Sequence, residues 1–93
     1  YINMYIYKSK ANINRLGIAV SKKIGKGVCR NHIKRLIREN YKIYESKFKN
    51  YINVVIIVNN NIELKKVNYY NIKKDFDNIL KKAGVINSEE NIN

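Results

Sequence analysis

Residues 1–8 (YINMYIYK) alternate strictly, with Ile2, Met4 and Ile6 on one side and Tyr1, Asn3, Tyr5 and Tyr7 on the other. That period of two predicts a half-buried β-strand. Residues 9–14 read as a polar connector, and alternation resumes at Arg15 to Ser21, where Leu16, Ile18 and Val20 oppose Arg15, Gly17, Ala19 and Ser21. Gly25 and Gly27 mark a turn over residues 24–27, and the period then changes to 3.6 as far as about Lys49. Cys29, Ile33, Leu36, Ile37, Asn40, Tyr44 and Phe48 share one side of that helix, and Arg30, Lys34, Arg35, Arg38 and Lys42 share the other. Cys29 reads as a small core residue.

The run YINVVIIV at 51–58 predicts a central strand buried on both faces. A polar loop follows over residues 59–66. Tyr69, Ile72, Phe76, Ile79 and Leu80 then form the apolar stripe of a second helix over Tyr69 to Ala83, with Gly84 as its stop. Residues 88–93 read as a polar, disordered tail. The order ββαβα predicts an α+β fold, a small and mainly antiparallel sheet with helices packed on it, as a single domain over residues 1–87.

If the first two strands pair as a hairpin, their apolar sides must coincide, which sets the tyrosines beside Gly17 and Ala19. Rings next to such small residues leave a shallow groove, suited to stacking single-stranded bases. An ordinary solvated face with cross-strand pairs has the same pattern.

Charge changes the picture. The first 38 residues hold ten Lys or Arg and no acid; Glu39 is the first. The whole chain carries a formal charge of +12, which favours a polyanionic partner. Arg30, Lys34 and Arg38 follow one line along the helix at steps of about 6 Å, comparable to the phosphate repeat of a nucleic-acid strand. A solvated helix face normally interleaves Glu for i, i+4 pairing, and this one has none before Glu39. The face therefore reads as a binder of RNA or DNA backbone. No apolar run reaches the roughly 20 residues a helix needs to span a bilayer. A peripheral membrane role would need the helix's apolar side, which the core requires.

Catalytic chemistry is sparse. Cys29 and His32, the only cysteine and histidine, offer two ligands where zinc takes three or four. Asp75 and Asp77 diverge by about 200° on a helix and cannot share a metal. Gly25 and Gly27, flanked by Lys22, Lys23 and Lys26, are a weak phosphate-cradle signal. A lone cysteine fits a reducing compartment, so a cytoplasmic location is expected. No charged-then-apolar leader opens the chain, and a start at Tyr1 in place of Met suggests that residues are missing before it.

The segment VSKKIGKGVCRNHIKRLIRE, Val20 to Glu39, resembles the signature of the bacterial ribonuclease P protein family. In that signature an Arg-Asn-Arg helix start is followed by a Lys-Arg pair and another Arg. Here it stands as Arg30-Asn31-His32, Lys34-Arg35 and Arg38. The resemblance continues through the strand at 51–58 and the last helix. It implies an accessory protein that binds a large catalytic RNA, with precursor tRNA as substrate and removal of the 5′ leader as the reaction. The chemistry and most of the bound Mg²⁺ would belong to the RNA.

The resemblance also implies a left-handed strand-helix-strand crossover, against the usual handedness, and a leader cleft between the basic helix and the sheet. Carried over by position, Arg30, Asn31, His32, Lys34, Arg35 and Arg38 fall on the RNA-binding helix, and Lys22, Lys23 and Lys26 on the basic turn before it. Tyr5 falls on the leader cleft, with Tyr7, Gly17 and Ala19 as its neighbours in the groove. Two departures stand out. His32 replaces an Arg, losing a permanent charge and a bidentate fork. The family's N-terminal helix has no counterpart in these 93 residues, so ββαβα is expected where the family has αβββαβα. A general RNA- or DNA-binding or ribosomal protein using the same helix is the other reading.

Overall fold

The apolar strand β3 (Ile52–Val58) organises the molecule. In the computed structural model, which describes residues 2–59 and 67–86, β3 lies between β1 (Asn3–Lys8) and β2 (Arg15–Val20). It runs antiparallel to β1 and parallel to β2. Helix α1 (Gly27–Glu45) carries the chain from β2 to β3, and α2 (Tyr69–Lys82) follows. The expected ββαβα order and the strand-helix-strand crossover are both present. The expected strand residue Tyr1, most of the 59–66 loop and the 88–93 tail lie outside the described residues.

The sheet departs from the sequence reading in three respects. β1 and β2 do not form a hairpin, because β3 separates them, and the sheet is mixed, with one antiparallel and one parallel pair. The β-branched run takes the centre, where both edges are hydrogen-bonded. The strands that alternate with Tyr, Lys, Arg and Gly take the edges, where polar side chains are tolerated. β3 is also not buried on both faces. Ile52, Val54, Ile56 and Val58 are buried, whereas Asn53 and Ile57 are half-buried and Val55 is exposed.

Helix α1 stops at Glu45, short of Lys49. Lys47 N–H donates to the Tyr44 carbonyl (2.9 Å) and Phe48 N–H to that of Glu45 (3.2 Å), tightening the chain into i→i+3 turns. Phe48 keeps its place on the apolar side by setting its ring edge-on to Tyr41, at 5.8 Å between centroids. Cys29 is exposed, not in the core. It sits in the first turn of α1, and the buried positions of the helix begin only at Ile33.

One core joins the covered face of the sheet to both helices. α1 contributes Ile33, Leu36, Ile37, Tyr41 and Tyr44, and α2 contributes Ile72, Phe76 and Leu80. Between the helices the rings of Tyr44 and Phe76 stack at 5.9 Å. α2 is capped at both ends. Asn68 Oδ1 accepts from Asn71 N–H (2.9 Å) at the start. At the finish Gly84 N–H donates to the Lys81 carbonyl and Val85 N–H to that of Leu80, a closure that uses the left-handed φ of 74° at Gly84. Lys49 N–H then donates to the Val85 carbonyl (2.9 Å), tying the loop after α1 to the end of α2.

Candidate nucleic-acid interface

The basic turn is built from the end of β2. Ser21 N–H donates to the Val58 carbonyl (3.0 Å), and its Oγ accepts from Lys23 N–H (3.3 Å). This winds Lys22–Ile24 into one 3-10 turn. Ile24 is buried as the anchor, which leaves Lys22 and Lys23 exposed. Gly25 then takes φ 150°, ψ −158°, a region open essentially to glycine alone. A Cβ there would meet no atom closer than 3.9 Å, so backbone conformation, not space, demands the glycine.

Lys26 is the N-cap of α1 and makes no side-chain cap, and no acid lies in the first turn. Lys22, Lys23 and Lys26 therefore add to the positive end of the helix dipole instead of opposing it. An arrangement of one sign at a helix start is relieved by an anion.

Along α1, Arg30 and Lys34 are half-buried and Arg38 is exposed, while the opposite side of the helix is in the core. The Arg30 guanidinium lies over Gly27, where a Cβ would stand 3.8 Å from Nη2. Its Nε is enclosed with no hydrogen-bond partner among the described residues. Arg35 is not free: its Nε donates to Glu39 Oε1 at 3.2 Å. Asn31 is exposed next to this line. His32 is exposed as well, but it lines a largely apolar hollow of about 270 Å³ with Val28, Cys29, Ile33 and Val67, away from the Arg30–Lys34–Arg38 line.

The uncovered face of the sheet forms the second surface. The register aligns Tyr5, Val55 and Gly17 in one row, Tyr7, Asn53 and Arg15 in the next, and Asn3, Ile57 and Ala19 on the other side. Tyr5 is 48% exposed, Tyr7 57% and Val55 36%. Tyr5 and Tyr7 do share a face with Gly17 and Ala19, but only Tyr5 and Gly17 fall in one row, with Val55 between them in place of direct contact. A Cβ on Gly17 would stand 3.9 Å from Val55 Cγ2, so the glycine keeps the row shallow.

α1 does not wall this groove. Its buried side belongs to the core on the opposite face of the sheet, so the expected cleft between the basic helix and the sheet is a strand-walled face instead. The Lys22–Ile24 turn links the two surfaces.

Lys8, Lys10 and Arg15 form a group that no local sequence pattern announces. With Ser9, Ala11 and Asn53 they line a cleft of about 390 Å³ at the Tyr7 end of the face. Their signal was present as bases on either side of the polar connector. Only the crossing of that connector over the start of β3 makes them neighbours.

Comparison with known proteins covers most of the chain. The sequence model of the Ribonuclease P family matches residues 1–84. A ribonuclease P protein component of Clostridium botulinum (strain Loch Maree / Type A3) is 46% identical over 85 residues, spanning 90% of this chain and 75% of that protein. The one from Dictyoglomus turgidum is 39% identical over 85 residues, 90% of this chain and 71% of that protein.

Among solved structures, the Staphylococcus aureus RNase P protein superposes with a TM-score of 0.76 at 36% identity, covering 92% of this chain and 77% of the other. The Thermotoga maritima RNase P protein in complex with 1-(4-fluorophenyl)-2-thiourea gives 0.77 at 27% identity, covering 88% and 78%.

Proposed function

Because this chain belongs to the ribonuclease P protein family, and so is a protein subunit in tRNA 5′ maturation, we propose that it works with two RNAs through the two surfaces described. The holoenzyme is an endoribonuclease whose catalytic activity lies in its RNA. Family membership sets aside the reading as a general nucleic-acid binder or ribosomal protein.

Arg30, Asn31, Lys34, Arg35 and Arg38 on α1, with Lys22, Lys23, Lys26 and the exposed His32, hold the backbone of the ribonuclease P RNA. Arg supplies bidentate forks and Lys point charges. Tyr5, Tyr7, Gly17 and Ala19 form a platform on which the single-stranded 5′ leader of precursor tRNA stacks. Removal of the leader is then hydrolysis carried out by the RNA, in the cytoplasm, with the protein contributing position and charge.

The observation that carries this reading is the arrangement of α1. From Ile33 to Tyr44 the helix gives one side to the core, and it presents Arg30, Lys34 and Arg38 along the other.

Mg²⁺ belongs to this proposal as an ion held mainly by the RNA. Among the described residues no three His, Cys, Asp or Glu side chains gather into a group that could hold a metal. The protein's part is to neutralise phosphates, which lets the RNA retain its ions at lower Mg²⁺.

Reconstitution with a ribonuclease P RNA at low Mg²⁺ tests the proposal directly. Adding the protein should restore cleavage of a leader-bearing precursor, and cleavage that is unchanged by the protein would refute it.

A further inference from the structure

The cleft lined by Lys8, Ser9, Lys10, Ala11, Arg15 and Asn53 has no part in the function proposed so far. Its frame is fixed. Ser9 N–H donates to the Tyr51 carbonyl (3.1 Å), Ala11 N–H to Ser9 Oγ (3.3 Å), and Ile52 N–H to Asn14 Oδ1 (2.9 Å). These bonds pin the 9–14 connector across the beginning of β3, and Asn12 completes the bend in the left-handed region with φ 53°. Three cationic side chains and no acid line the space beneath.

Asn53 is half-buried there, and its Oδ1 is enclosed without a hydrogen-bond partner among the described residues. A buried acceptor left unpaired costs free energy until a donor reaches it. A phosphate brings no donor, whereas a ribose 2′-hydroxyl does.

The position of the cleft is as informative as its lining. Asn53 shares its row with Tyr7 and Arg15, so the cleft closes one end of the open tyrosine face. The Lys22–Ile24 turn follows Val20 at the other end. Arg15 to Val20 is five strand steps, about 17 Å. A strand of RNA lying along the face thus meets basic side chains at both ends, with Tyr7 beside the cleft and Tyr5 between the two ends.

We infer that this cleft is a second anchor for the precursor leader, upstream of the tyrosine row. Lys8, Lys10 and Arg15 hold a backbone phosphate, and Asn53 Oδ1 accepts from the adjoining 2′-hydroxyl. The inference rests on the leader reading of the tyrosine face and extends it to more distant nucleotides.

The test uses the reconstituted holoenzyme and precursors whose leaders are shortened one nucleotide at a time. With the natural protein, affinity should step up roughly tenfold at the length that first reaches the cleft. A Lys8→Ala/Lys10→Ala/Arg15→Gln protein, checked for folding by circular dichroism, should lack that step yet bind short-leader precursors normally. Equal weakening at every length would reduce the cleft to general electrostatic attraction and overturn the inference, as would an unchanged step. Leader dependence absent from the natural protein, together with an inert Tyr5→Ala, would remove the leader reading itself.

Leaders made with 2′-deoxyribose upstream should bind the natural protein more weakly than all-ribose leaders, and Asn53→Ala should erase the difference. Equal binding of both leaders by the natural protein would eliminate the ribose contact.

Discussion

The Tyr44 hydroxyl donates to Asp77 Oδ1 at 3.3 Å, joining the buried side of α1 to α2. The same carboxylate receives Lys81 Nζ on Oδ2 at 3.0 Å, so a surface ion pair holds the acceptor in place for the buried phenol. Tyr44→Phe keeps the ring on Phe76 and loses only the hydroxyl. It should cost about 0.5–1.5 kcal/mol of stability, read as a lower urea midpoint with an unchanged slope.

Alkaline pH tests the tyrosines of the helix interface. Burial, then the Glu45 charge, then the hydrogen bond to Glu45 push the Tyr41 hydroxyl up to about 12. Burial foremost, then Asp77, drive Tyr44 higher still. Above pH 10 the unfolded chain releases these protons while the folded chain retains them. The stabilisation is therefore complete below pH 10 and lost as pH rises toward and past 12. Tyr41→Phe should flatten the onset of that loss in denaturation curves taken across this window. A curve as steep as the parent's would show that Tyr41 does not take part.

Salt should weaken the RNA contact steeply. With 6 to 10 phosphates engaged, affinity for the RNA subunit is expected to drop by roughly 10³–10⁵ between 50 and 200 mM salt. Arg38→Ala should lower the log–log slope by about 1. A flat salt response would contradict the phosphate role of α1.

Glu39 lies beside that surface and holds Arg35 at 3.2 Å. Both side chains are largely exposed, so the pair adds little to stability. Glu39→Gln should leave the melting temperature almost unchanged and tighten RNA binding a few-fold, because it frees a guanidinium and removes a like charge from the phosphates. Weaker binding would mean that Glu39 positions Arg35 for the contact.

Tyr5→Ala should weaken leader-bearing precursor by about 1–3 kcal/mol and leave mature tRNA unaffected in the same titration. An equal loss for both would take Tyr5 off the leader surface.

Much of this architecture is legible residue by residue. The period of two at Met4 and Ile6, and again at Leu16 and Ile18, fixes which side of each strand enters the core. The 3.6 period from Ile33 to Tyr44 does the same for α1. Pairing is not so encoded. Residues 51–58 announce a central strand through their β-branching, but nothing local says that β3 enters between β1 and β2 and parallel to one of them. The helix end is hidden for another reason: Phe48 preserves the apolar period after the backbone has left the helix. Cys29 misleads by type, since a small apolar residue in a first turn has no sheet beneath it. The Lys8–Lys10–Arg15 cleft depends wholly on how a connector folds over a strand that comes later in the chain.

The place of β3 has a consequence for how the protein is made. Tyr5 and Gly17 lie in one row only because Val55 stands between them, and β1 and β2 share no pairing of their own. Both edge strands leave the ribosome before the strand that unites them, and must wait while the whole of α1 is synthesised. The basic helix is local in sequence and can form early. The tyrosine face is a product of long-range closure, the slower class of folding event. A nascent chain stopped short of Ile52 would therefore carry every base of the Lys22–Arg38 segment while Tyr5 and Gly17 still lacked the strand that brings them into one row.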